Sequence, residues 1–84
     1  MSAKLRAEDY KLNRAVGLII RDIRLAVGIN QTELANRIGT TQSAISDVEK
    51  GRGVTLWFFR RVIRGLGFDL KLTIEKRGKY ELET

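Results

Sequence analysis

Eighty-four residues suffice for one domain with a single modest core and are too few for a second. Cysteine and histidine are both absent, which excludes disulfide scaffolds, thiol nucleophiles, histidine bases and the usual zinc sites. Sixteen Lys and Arg against ten Asp and Glu leave a net charge of +6, the electrostatic footprint of a nucleic-acid binder.

Residues 1–9 are polar, lack the apolar stretch a secretory signal needs, and read as a flexible N-terminus. No run approaches the roughly 18 apolar residues of a membrane span, so the expectation is a cytoplasmic protein with no membrane partner. From about Tyr10 to Val27 the pattern is helical. Val16, Ile20, Ile23 and Val27 recur at helical spacing and form one apolar stripe, and Gly28 ends the helix. "NQTE" then reads as a capping box. Asn30 accepts from the first turn, and Glu33 reaches back to the Asn30 backbone.

The helix so begun runs through Leu34, Ala35 and Ile38 to Gly39. "TTQSAISDVEKG" repeats the grammar, with Thr41 as cap, Ile45 and Val48 as core, and Gly51 as stop. Thr55 caps a last helix whose core stripe is Leu56, Phe59, Ile63 and Leu66, closed by Gly67. Phe58 and Val62, four apart, form a second apolar line on that helix, which suggests an interface. Trp57 leads a basic stripe with Arg60, Arg61 and Arg64, readable as solvated surface or as a surface for a partner protein.

"GLGFDLKLTIEKRG" changes the period. Phe68, Leu70, Leu72 and Ile74 alternate with polar residues, the pattern of a half-buried strand over residues 68–76. A lone strand leaves its backbone groups unpaired along both edges. Two partners are open to it. It can pair with its equivalent in a second chain, or "KRGK" can turn the chain so that Tyr80 and Leu82 return as an intrachain hairpin. The domain plan is therefore 1–9 as flexible N-terminus, 10–67 as a helical domain, and 68–84 as a C-terminal strand and tail for dimerisation.

The helices around "GT" are about two turns each, too short to stand alone. Two short helices about a Gly-containing turn form the helix-turn-helix pattern, although spacing alone also fits a plain helical bundle. The residue identities go further. The stretch from Arg24 to Arg52, "RLAVGINQTELANRIGTTQSAISDVEKGR", resembles the DNA-binding domain of the lambda-repressor/Cro (XRE) family. Its middle, "NQTELANRIGTTQSAI", is similar to the 434-type phage repressors. The resemblance implies a mostly α, lambda-repressor-like bundle of four to five helices. It assigns Gln31 to a phosphate and to bracing Gln42, and assigns Gln42 to reading a base. A glutamine amide matches N6–H and N7 of adenine independently of any family.

Ser43 and Ser46 follow Gln42 onto the same side of the helix and can point with it into the groove as base readers. Asp47 sits where the family carries variable polar readers, where it would accept from cytosine N4. As an anion, Asp47 fits a solvated or specificity-excluding residue better than a contact. Thr41 is a cap first and a phosphate contact second, while Lys50 and Arg52 follow the recognition helix toward phosphate. Arg14, Arg21 and Arg37 fit phosphate contact and solvated surface equally well. Arg24 and Glu49 resemble the family's buried ion pair, a structural feature. One departure is "GRGVT", where the family usually places a proline.

The fold usually acts as a two-fold dimer, so Phe58, Val62, Phe68, Leu70, Leu72 and Ile74 are the expected dimerisation residues. A helical domain followed by "GLGFDLKLTI" also resembles HipB-like antitoxins. The expected function is a sequence-specific, non-enzymatic transcriptional repressor acting as a homodimer on an inverted-repeat operator in double-stranded DNA. Within that, the expectation is the autoregulator of a toxin–antitoxin operon with a kinase-like or ribonuclease-like toxin as partner. The alternatives are a phage- or plasmid-type repressor without a toxin, and a protein-interaction adaptor. No cofactor and no metal are expected.

Overall fold

The computed structural model describes residues 3–75. They form four helices: α1 (Ala3–Val27), α2 (Gln31–Ile38), α3 (Gln42–Glu49) and α4 (Leu56–Gly65). The helix expected from about Tyr10 begins at Ala3: residues 3–9 contain no Gly or Pro, and Asp9, a strong cap by type, lies inside the helix instead of starting it. Asn30 accepts from the Glu33 N–H at 2.8 Å, Thr41 from Ala44 N–H at 3.1 Å and Thr55 from Phe58 N–H at 3.1 Å. The return bond of the capping box, from Asn30 N–H to the Glu33 carboxylate, is not formed among the described residues.

Gly39 makes the turn between α2 and α3. Its φ of +70° lies in the left-handed region, where its N–H and that of Thr40 both reach the Ala35 carbonyl. A side chain there would be strained, so the turn needs glycine. The end of α4 uses the same device: Gly67 N–H meets the Arg64 carbonyl and Phe68 N–H the Ile63 carbonyl, both at 3.0 Å. That pair of bonds is a Schellman closure, and it sets the direction in which residues 68–75 leave the bundle.

The core lies where the four helices converge. Ile20, Leu34, Ile45, Val48 and Val62 are fully buried, with Ile29, Ala35, Ile38, Ile63 and Leu66 around them. Val16, Ile23, Val54, Phe58 and Phe59 pack half-buried against this cluster. Three expectations are corrected here. Val27, at the end of the α1 stripe, is 39% exposed, and Leu56, the first residue of α4, is 59% exposed. Val62 is wholly buried and cannot serve a dimer surface. Its burial follows from the position of α4, which packs against both α2 and α1 and so turns two adjacent apolar lines inward.

Gly17 decides how closely α1 approaches α3. A Cβ on it would lie 2.5 Å from the carbonyl oxygens of Val48 and Glu49, so any side chain would force the helices apart. No strand forms among the described residues. Over residues 68–75 the backbone has no ladder partner, and Phe68, Leu72 and Ile74 stand exposed. The alternative hairpin, with Tyr80 and Leu82, lies outside the described residues.

Candidate nucleic-acid interface

The geometry of the site begins inside the molecule. Arg24 on α1 and Glu49 at the end of α3 are both buried, and their side chains meet through two hydrogen bonds. Arg24 Nε donates to Glu49 Oε2 at 2.6 Å and Nη2 to Oε1 at 3.0 Å, while Nη1 caps the Ile29 carbonyl at 3.0 Å. The hydrogen bond to Glu49 raises the guanidinium pKa above its ordinary value, against a smaller opposing effect of burial.

The pair does not end there. Gln31, first residue of α2, donates through Nε2 to Glu49 Oε1 at 3.0 Å. Its own Oε1 then accepts from Gln42 Nε2 at 2.5 Å. Four side chains from three helices therefore form one relay: Arg24, Glu49, Gln31, Gln42. It starts in the core and ends on the exposed first turn of α3. Gln42 and Glu49 lie seven residues apart, so they share a face of α3 and both can reach Gln31. That spacing was the available signal for the join between the ion pair and the glutamines, which the sequence reading treated separately.

The relay leaves defined valences. Gln42 uses one of its two amide hydrogens on Gln31, leaving the second hydrogen and its carbonyl oxygen without a protein partner among the described residues. One donor beside one acceptor is the complement of adenine N7 and N6–H. Gln31 likewise keeps one amide hydrogen.

The other expected residues fall around this point. Thr41 and Ser43 are exposed and Ser46 is half-buried, all on or beside the first turns of α3. Lys50 is exposed and joins Arg21, Gln31 and Ser46 around a polar depression of about 240 Å³. Arg21 is thus gathered with Gln31 and Ser46, while exposed Arg37 donates instead to the Gly65 carbonyl at 3.4 Å on the α2–α4 side. Asp47 turns to the far edge of α3. It lines an apolar cavity of about 390 Å³ with Ala44, Arg52, Gly53, Thr55, Trp57 and Phe58. Arg52 and Phe58 therefore sit beside Asp47, and Phe58 borders α3. Of the other residues expected at a dimer surface, Phe68 and Ile74 are exposed and Leu70 is half-buried. Leu72 closes a groove of about 330 Å³ with Leu12, Val16, Val54, Leu56 and Phe59.

Comparison with known proteins agrees with this geometry. The model of the helix-turn-helix family matches residues 20–71, which include the relay and both glycine-closed turns. The chain is also similar to an uncharacterized HTH-type transcriptional regulator of Methanothermobacter thermautotrophicus. The two are 42% identical over 50 residues, which cover 58% of this chain and 72% of the relative.

Proposed function

We propose that this chain, which belongs to the helix-turn-helix family, is a DNA-binding transcription regulator that reads a specific operator through α3. The relay from Arg24 to Gln42 is the observation that carries this reading. A surface glutamine ordinarily samples many rotamers, and ordering it on contact with DNA costs free energy. Here the ordering is already present in the free protein, because Gln42 is tied to Gln31 and Gln31 to a buried ion pair. Base-edge contacts specify and phosphate contacts position. Gln42 with Ser43 and Ser46 forms the reading group, and Gln31, Thr41, Lys50 and Arg52 the positioning group.

One α3 spans only a few base pairs, so the regulator acts as a two-fold dimer on an inverted repeat with half-sites about 34–36 Å apart. The exposed alternation of Phe68, Leu72 and Ile74 supports pairing of residues 68–76 between chains. With the apolar groove beside Leu72, it supplies the dimerisation surface. The chain works as a non-enzymatic, cytoplasmic repressor of its own operon, and a toxin encoded there is its protein partner.

Gln42→Ala tests the reading. Loss of one bidentate contact should weaken the specific operator by about 1–3 kcal/mol and leave random duplex nearly unaffected. Titration of labelled operator and random duplex at one fixed salt concentration measures both. Equal loss on the two would remove Gln42 from base reading.

A further inference from the structure

The arginine face of α4 takes no part in the reading surface, yet it is built. Trp57, Arg60, Arg61 and Arg64 surround a depression of about 200 Å³. Arg61 lies 5.2 Å from the centroid of the Trp57 ring and donates to the Ile38 carbonyl, so its guanidinium and the indole are held together. Trp57 nevertheless remains 66% exposed. Arg60 and Arg64 are also exposed. The contact of Arg64 with Asp69 is long, at 3.9 Å, and the Asp69 side chain is 94% exposed, so Arg64 remains free to take a stronger anion.

The four residues of this cluster make no hydrogen bond to the relay among the described residues. Arg61 and Arg37 are anchored on carbonyls at the C-terminal ends of α2 and α4. Gln31 and Gln42 stand at the N-terminal ends of α2 and α3, where free N–H groups favour phosphate, and Trp57 borders α3 further along, beside Ala44 and Asp47. A Trp beside fixed and free arginines is also the composition of a protein-binding hot spot.

We propose that the Trp57–Arg60–Arg61–Arg64 face receives an acidic segment of the protein partner, its carboxylates paired with Arg60 and Arg64 and an apolar side chain laid on Trp57. Guanidinium groups bind carboxylates through paired N–H bonds, and the indole adds apolar area at small entropic cost. The proposal rests on the reading of the chain as a regulator with a protein partner, and it names where that partner binds.

Trp57 is the sole tryptophan of the chain, so emission comes from one known position, and the parallel duplex titration separates this face from the α3 side that Trp57 also borders. Poly-L-glutamate serves as probe in titrations of the full chain, and fluorescence anisotropy follows a labelled duplex in parallel. The expected result is a saturable change of Trp57 emission whose midpoint weakens about tenfold or more in the Arg60→Ala/Arg64→Ala variant. Duplex binding should be unchanged in that variant, and Gln42→Ala should leave the polyglutamate titration unchanged. Identical polyglutamate midpoints for parent and double variant would overturn the proposal. So would a tenfold loss of duplex affinity in the double variant, which would make the stripe a phosphate contact. A parent chain that binds polyglutamate but no duplex would instead overturn the DNA reading and leave this face standing.

Discussion

Arg24 and Glu49 show how a buried charge can serve a surface. Taking either partner away leaves an uncompensated charge in the interior, at a cost of about 3–5 kcal/mol. Glu49→Ala should therefore lower the urea midpoint sharply. Replacing both, as Arg24→Met with Glu49→Leu, removes the two charges together and should recover most of that stability. The same double variant leaves Gln31 without its acceptor, so Gln42 loses its support and operator discrimination falls although the fold holds. A double variant that is stable and still discriminates fully would show that the relay is structural only. Arg24 also sets the sign of its own pH dependence. Its pKa is raised in the folded protein, so its contribution is complete below the unfolded value and is lost only as pH rises through the folded one. The relay accordingly keeps its cation throughout the neutral range.

Among elements, the contact of α1 with α3 is the one on which the relay depends. Arg24 must reach Glu49 across it, and Gly17 sets the distance. Gly17→Ala puts two effects in opposition. Helix propensity favours Ala by about 0.8–1.0 kcal/mol, whereas a Cβ placed against the Val48 and Glu49 carbonyls overpacks by about 1–3 kcal/mol. Both obstructing atoms are backbone, which cannot rotate aside, so the packing effect should win and the urea midpoint should fall. A stabilised variant would mean that α1 and α3 tolerate a wider gap than the structure shows. The glycine stood unremarked within a regular apolar stripe, since nothing in the neighbouring residues reports what a second helix brings near.

For the whole molecule, the proposed dimer contact over residues 68–76 can be tested apart from folding. Among the described residues the buried core ends at Leu66, so a chain cut after Gly67 retains every core residue described. It should fold, sediment as a monomer where the intact chain sediments as a dimer, and bind an inverted repeat less tightly because its half-sites are no longer linked. A cut chain that remains a dimer of equal stability would place the dimer contact elsewhere, the α1–α4 groove being the next surface to test.

What the sequence determined is local. N-caps at Asn30, Thr41 and Thr55, glycines after α1, α2 and α4, and the core residues of α2 and α3 each depend on neighbours within about five positions along the chain. Such grammar is legible because hydrogen bonds of caps and turns close over short distances. The glutamines were legible in another way, through likeness of the whole motif. Tertiary structure alone decided the rest. It turned Val62 inward and left Leu56 outside, because the angle at which α4 crosses α1 and α2 sets how many of its apolar lines are covered. It also linked the two expected pairs, Arg24 with Glu49 and Gln31 with Gln42, into one relay through the hydrogen bond from Gln31 to Glu49, which bridges 18 residues of chain. Contacts of that span depend on the packing distance and crossing angle of three helices, quantities that exist only once the core has closed.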